Sequence, residues 1–285
     1  PGCDPRTHKT QGCMFRTVLG INMYAVIQGV DVALFALLTL HLLRAGKVRA
    51  IHVVGLTLLY AFCNFTAGKF LFDVLVSDKP FRLHNYVSIS HYFEGGYWGW
   101  ATLFLPLVLL YPILLRCDRL AVYRSIALTL PPVIAVQKLA CLSVGCCGGM
   151  PTDLPWGVVF NADSQCPTPG VPVHPVQYYD MLAALLAWAA LTWADRRPRW
   201  RPYLYPLFVA FWALDLLITG FFRADTHGFM SMRQALGGGA LMAVVLLLVF
   251  GRTFWDRFAD RERSALVTGG SGTAKARLRG PGGKG

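Results

Sequence analysis

Of the 27 basic residues in this chain, only Lys69 and Lys138 fall inside long apolar stretches; the other 25 occupy the segments between or beyond them. A charge in the middle of a bilayer costs about 2.5–3.5 kcal/mol on insertion scales, so such a residue usually faces a polar interior or a ligand. Acids occur at comparable depth: Asp73 follows Lys69 by one helical turn, Glu94 opens an apolar stretch and Asp215 sits in the middle of another. Lys69 and Asp73, at i and i+4, can simply neutralise each other on one helix face. Lys138 has no acid within four residues. The Gly-rich run after it favours a pocket for an anion over a lysine that snorkels to the interface.

Glu94 lies in YFEGGYWGW, where Gly95 and Gly96 follow the carboxylate. A glycine pair permits close approach of a ligand or of another helix, so a packing notch with an interfacial acid is the alternative. His91 reads as an interfacial residue that could also accept a proton. The loop 145–175, GCCGGMPTDLPWGVVFNADSQCPTPGVPVHP, is rich in Pro and Gly and has no Lys or Arg. That composition predicts a rigid, irregular segment of the kind that forms sites. Cys141, Cys146, Cys147 and His174 raise the question of a metal. Their spacing matches no zinc pattern and adjacent cysteines rarely ligate one tetrahedral ion, so no metal and no other cofactor is expected.

The elements that must position these groups follow from composition. The 285 residues are 55% hydrophobic and only 15% charged, with a mean hydropathy of +0.46. Disorder, a coiled coil and a secreted disulfide scaffold are excluded. Stretches near 20 apolar residues each match a hydrocarbon core about 30 Å thick. Seven spans are predicted, near 20–43, 51–76, 93–115, 121–144, 176–194, 203–222 and 233–251. In lipid the backbone must satisfy its own hydrogen bonds, so the spans are expected to be helices and the fold class all-α.

Counted on alternate sides, 18 basic residues face one way and seven the other. The positive-inside rule then puts the C-terminus in the cytoplasm and the N-terminus outside. The predicted organisation is an extracytoplasmic segment 1–19, a membrane domain 20–251 that carries loop 145–175, and a basic, partly disordered cytoplasmic tail 252–285. The net charge of +12 is explained by this topology, and no nucleic-acid partner is expected. No small-residue cleavage site follows the first apolar segment, which is read as a retained span. No internal repeat is evident, which leaves a transporter with Lys69, Asp73, Glu94 and Asp215 as its ion path with little support.

The run QKLACLSVGCCGGMPT (137–152), followed by DLPWGVVF and HPVQYYDML, resembles the prolipoprotein diacylglyceryl transferase family. That family has a Gly-Arg-rich signature ending in Pro-Thr, a WG turn and then His-Pro-x-Gln-x-Tyr, here His174, Pro175, Gln177 and Tyr179. Weaker echoes keep family order: Tyr24 in GINMYA, Lys69 in AGKF, Glu94 in FEGG, Arg223 in FFRAD and Gln234 in MSMRQ.

The resemblance implies a bacterial multi-pass protein of the cytoplasmic membrane. It would transfer a diacylglyceryl group from phosphatidylglycerol to the lipobox cysteine of a prolipoprotein signal peptide, with membrane lipid as its surroundings. Glu94, Lys138 and Arg223 are the implied catalytic residues. Tyr24, Lys69, Gly95, Gly96, Gly145, Gly149, His174, Gln177, Tyr179 and Gln234 are the implied substrate-binding ones.

Three positions depart from the family besides Glu94 in place of its His. Lys138 stands for the signature Arg, Cys141 for an Asn, and Leu216, beside Asp215, for a second Arg. Lysine lacks the bidentate fork of arginine but still binds phosphate as a point charge. The departures leave a divergent member with another donor or acceptor, or a non-catalytic lipid-binding protein, as the alternative.

Overall fold

The computed structural model describes residues 17–18, 21–45, 48–67, 70, 103–162, 164–224 and 239. Lys69, Asp73, His91, Glu94, Gly95, Gly96, Gln234 and the predicted span 233–251 lie outside the described residues. A two-residue pair, β1 (Thr17–Val18) with β2 (Ile21–Asn22), precedes α1 (Met23–Ala45). Helix α2 (Ala50–Ala61) runs on into a π-helical turn, Phe62–Ala67. Then come α3 (Leu105–Leu114), α4 (Arg119–Val144), the pair β3 (Val158–Val159) with β4 (Pro172–Val173), and α5 (Val176–Asp195). A 3₁₀ turn, Pro198–Tyr203, leads into α6 (Leu204–Gly220). The all-α expectation therefore holds for the bundle, and the strands are minimal hairpin pairs outside it.

Among the described residues, four helical stretches are long and apolar enough to cross a membrane: Met23–Arg44, Ala50–Ala67, Arg119–Val144 and Pro198–Gly220. The predicted span 176–194 does form a helix, α5, but Gln177, Tyr178, Tyr179 and Asp180 in its first turns make it less apolar than those four. Of the predicted span 93–115, helix α3 is described.

Helix α4 is central and packs against α1, α5 and α6. Its sequence defines both ends. The Asp118 side chain caps the N-terminus, accepting from the Ala121 amide at 3.0 Å. Gly145, at φ 71°, ends the helix in the left-handed region, and the Cys146 amide then reaches back to the Cys141 carbonyl at 3.2 Å. Pro131 and Pro132 inside α4 cannot donate to the preceding turn, so the carbonyls of Ala127 and Leu128 lose their usual helical partners.

The packing inverts that of a soluble protein. Leu37, Ile51, Leu58, Leu114, Leu182 and Leu186 are exposed, whereas Asp31, Asn64, Gln137, Lys138, Gln177 and Asp180 are buried. Apolar side chains outside and polar ones inside suit a lipid surround, where water cannot pay for an exposed polar group. Between α1 and α2, Phe35 stacks on Tyr60 with ring centroids 4.3 Å apart, and the Tyr60 hydroxyl donates to the buried Asp31 carboxylate at 2.7 Å.

At the basic end of the bundle Arg124 of α4 grips Asp195 of α5 with two hydrogen bonds, 2.5 and 2.6 Å, and Arg201 adds a looser contact at 3.7 Å. Both Arg124 and Asp195 are largely shielded, which raises the pair above an exposed surface bridge. Arg124→Ala is expected to destabilise the fold by about 1.5–3 kcal/mol, since hydrogen bonds to charged groups contribute roughly that much. Thermal unfolding in detergent would show it as a lowered melting temperature.

Candidate active site at the loop end of the bundle

The last turns of α4 and the first turns of α5 carry the polar groups. On α4, Gln137 and Cys141 are four residues apart and Lys138 precedes Cys141 by three, so all three belong to one broad face. Lys138 is fully buried and forms an ion pair with Asp180 of α5, which is also buried. Lys138 has no acid within four residues on its own helix, and its partner comes from the neighbouring helix, 42 residues along the chain.

Two buried amides flank this pair. The Gln137 Nε2 donates to the Asn64 Oδ1 of the π-helical turn at 3.0 Å, and the Gln177 Nε2 donates to the Cys146 carbonyl at 2.7 Å. A π-helical turn often marks a functional site, and here it places Asn64 against α4. Asn64 Nδ2, Gln137 Oε1 and Gln177 Oε1 are buried with no hydrogen-bond partner among the described residues. Buried polar atoms are nearly always paired, so these three mark capacity for a polar ligand.

The loop after α4 is tied down on both sides. Gly149 bridges to Arg223, and Met150 donates to the Phe222 carbonyl at 2.8 Å. On its other edge His174 donates its amide to the Met150 carbonyl at 3.0 Å and Thr152 bonds to Pro172 at 2.9 Å. A narrow three-stranded patch results, with 148–152 between the end of α6 and the start of α5. The His174 ring then meets Tyr179, Nδ1 to hydroxyl at 3.3 Å, and Trp156 donates to the same hydroxyl at 3.0 Å. Arg223 is 5% exposed.

Three thiols complete the centre. The Sγ atoms of Cys141, Cys146 and Cys147 lie within 4.8 Å of one another. The Tyr24 hydroxyl approaches them from α1 and is hydrogen-bonded to the Gln28 side chain. Hydrogen bonds from Cys141 and Cys146, and then the nearby Arg223 and Lys138 charges, hold the Cys147 thiol well below its ordinary value. Hydrogen bonds to Cys141 and Cys147, together with burial, push Cys146 well up.

Beside the ion pair a shallow, open groove lies between α4, α5 and α6. Pro131, Ile134, Ala184, Phe208 and Trp212 line it, with Asp180 and Asp215 as its acids. Its lining is mostly apolar and it abuts the charged centre at Asp180.

Of the residues singled out in the sequence, Lys138, Gly149, His174, Gln177, Tyr179, Arg223 and Tyr24 gather at this end. Gly145 serves as the cap of α4. Lys69, Glu94, Gly95, Gly96 and Gln234 lie outside the described residues. The sequence reading missed Asp180, Asn64 and Gln137. Asp180 carried a signal, an acid inside a predicted span, that was available without a structure.

Apolar helices around a buried, charged centre with a mostly apolar groove beside it define a helical membrane protein that gathers its polar groups inside the bundle. The prolipoprotein diacylglyceryl transferase family profile matches residues 13–252, and the chain belongs to that family. A phosphatidylglycerol–prolipoprotein diacylglyceryl transferase of Clostridium tetani is 31% identical over 141 residues, covering 48% of this chain and 55% of that protein. One from Bordetella parapertussis, bearing the same name, is 24% identical over 235 residues, covering 81% of this chain and 88% of that protein.

Proposed function

We propose that the chain transfers the diacylglyceryl group of phosphatidylglycerol to the lipobox cysteine of a prolipoprotein, in the bacterial cytoplasmic membrane. In that reaction the cysteine sulfur bonds to the glyceryl carbon, the carbon–oxygen bond to phosphate breaks, and glycerol phosphate leaves with the electron pair. The thiol proton must pass to a base, for which Glu94 is the candidate.

The observation that carries this reading is the buried Lys138 beside Asp180, with Arg223 at the same end of the bundle. Negative charge accumulates on the leaving phosphate, and a preorganised cation in a water-poor site stabilises it more than water would. The ion pair with Asp180 holds the Lys138 ammonium in place between α4 and α5. The unfilled amide atoms of Asn64, Gln137 and Gln177 suit glycerol hydroxyls or ester oxygens, and the groove along Pro131 and Trp212 suits an acyl chain. His174, Tyr179 and Trp156 fix the loop edge of the site, where a peptide would arrive. Seven spans with the N-terminus outside would put this end of the bundle on the extracytoplasmic face, where a prolipoprotein presents its lipobox.

The test is direct. Purified protein with phosphatidylglycerol and a lipobox peptide is expected to yield a diacylglyceryl thioether on cysteine, read by mass spectrometry. Folded protein that gives no thioether while a control enzyme does would overturn the assignment.

A further inference from the structure

The cysteine cluster has a geometry that the linear spacing conceals. Extended neighbours point to opposite sides of the chain, which is why adjacent cysteines rarely share an ion. Here two backbone features bring them together. The cap of α4 folds Cys146 back over Cys141, with its amide bonded to the Cys141 carbonyl at 3.2 Å and its Sγ at 3.6 Å from the same oxygen. Cys147 then adopts φ 62°, a left-handed conformation uncommon for any residue but glycine. It does so in a run where glycines stand at 145, 148 and 149, so a conformation that glycine adopts without strain is held by a residue with a thiol. Cys63, Cys117 and Cys166 are not part of the group.

We propose that Cys141, Cys146 and Cys147 form a three-sulfur site for one soft, thiophilic cation of the copper(I) kind. A metal–sulfur bond of about 2.3 Å in trigonal geometry needs sulfurs about 4 Å apart, and the three already lie within 4.8 Å of one another. Soft thiolate sets select copper(I), zinc or iron–sulfur clusters. No histidine, aspartate, glutamate or fourth cysteine joins the group among the described residues. A structural zinc takes four protein ligands, so the three-sulfur set fits copper(I) better.

Charge points the same way. Three thiolates and one monovalent cation leave a net charge of −2, and both Lys138 and Arg223 lie within electrostatic reach of Cys147. Cys141 is buried while Cys146 and Cys147 are partly exposed, which gives a shielded site with an entry path. On binding, each ligating thiol that is still protonated releases its proton to solvent.

This site does not depend on the transferase reading, but it adjoins the same centre. Cys141 follows Lys138 by one turn, and the Cys146 carbonyl accepts from Gln177. Occupancy would draw Lys138 and Arg223 toward the metal–thiolate anion and away from a phosphate.

The experiment uses the reduced, full-length protein in detergent under anaerobic conditions, with Cys3→Ser and Cys13→Ser to silence the N-terminal thiols. Titration with copper(I) against a chromogenic chelator is expected to show one tightly held equivalent, with a shell of three sulfurs by X-ray absorption. Cys141→Ser, Cys146→Ser and Cys147→Ser should each weaken binding by about tenfold or more, whereas Cys166→Ser should not. Copper(I) should also protect Cys141, Cys146 and Cys147, but not Cys117, from alkylation mapped by mass spectrometry, a readout that needs no serine variant to fold. Failure to bind copper(I), or protection spread evenly over all cysteines, would overturn the site. Tighter binding of zinc(II) in a four-ligand shell would overturn the choice of cation, and a Cys146–Cys147 disulfide in protein that takes up no metal after reduction would replace the site with a redox pair.

Discussion

Lys138→Met is expected to destabilise the protein by about 3–5 kcal/mol, because it strips the fully buried Asp180 of its ion-pair partner. Asp180→Leu should cost about as much from the other side. The double variant Lys138→Met/Asp180→Leu should recover most of that loss, since replacing a whole buried pair by apolar groups of similar volume is often neutral or better. Transfer should not recover with it. A missing electrostatic donor at a developing anion typically costs about 100- to 1000-fold in rate, so the double variant should melt near the parent yet make little thioether. Thermal unfolding and thioether yield, measured on the same samples, separate the two effects. A double variant with parental activity would remove Lys138 from the chemistry and leave it a packing role.

Gly149→Ala should be the most damaging small change in the loop. A Cβ there would overlap the His174 carbonyl oxygen and stand 2.6 Å from the His174 Cβ. Neither neighbour can swing away, because the His174 amide is bonded to Met150 and Gly149 is bridged to Arg223. The strands must part, moving Arg223 and the His174–Tyr179 pair together. A shift near 1 Å in groups that position substrate costs about 100-fold, and that loss of transfer is the expected result. Gly29→Ala is the matched control: nothing lies within 4 Å of its added carbon, and alanine favours a helix. If Gly149→Ala retains parental activity, the patch around it does not position the reacting groups.

How far the sequence could lead is shown by particular residues. The boundaries of α1, α4 and α6 agree with hydropathy because long apolar runs in lipid have one backbone solution. Lys138 stands out by the same logic, as a charge where charge is costly. Asp180 stands out in the same way, but that the two are partners does not follow, because the i, i+4 rule looks along one helix and Asp180 belongs to another. Asn64 was equally hidden: nothing in FCNFTA announces the π-helical turn that aims it at Gln137. The clustering of the cysteines was hidden for a different reason. Zinc spacing templates count residues, whereas the left-handed backbone at Cys147 and the cap at Gly145 decide where the sulfurs go.

The two ion pairs between α4 and α5 have a joint consequence. Lys138 and Arg124 are 14 residues apart on one helix, and Asp180 and Asp195 are 15 apart on the other. At a rise of 1.5 Å per residue both separations come to about 21–23 Å, so the helices act as two matched rulers pinned at both ends. Slipping one helix by a single residue would turn its side chains by about 100° and break both pins at once. A polar contact of this kind selects one alignment among the many that featureless apolar faces would tolerate. The contact at the basic end therefore helps to hold the chemistry at the far end in place, although the two never touch.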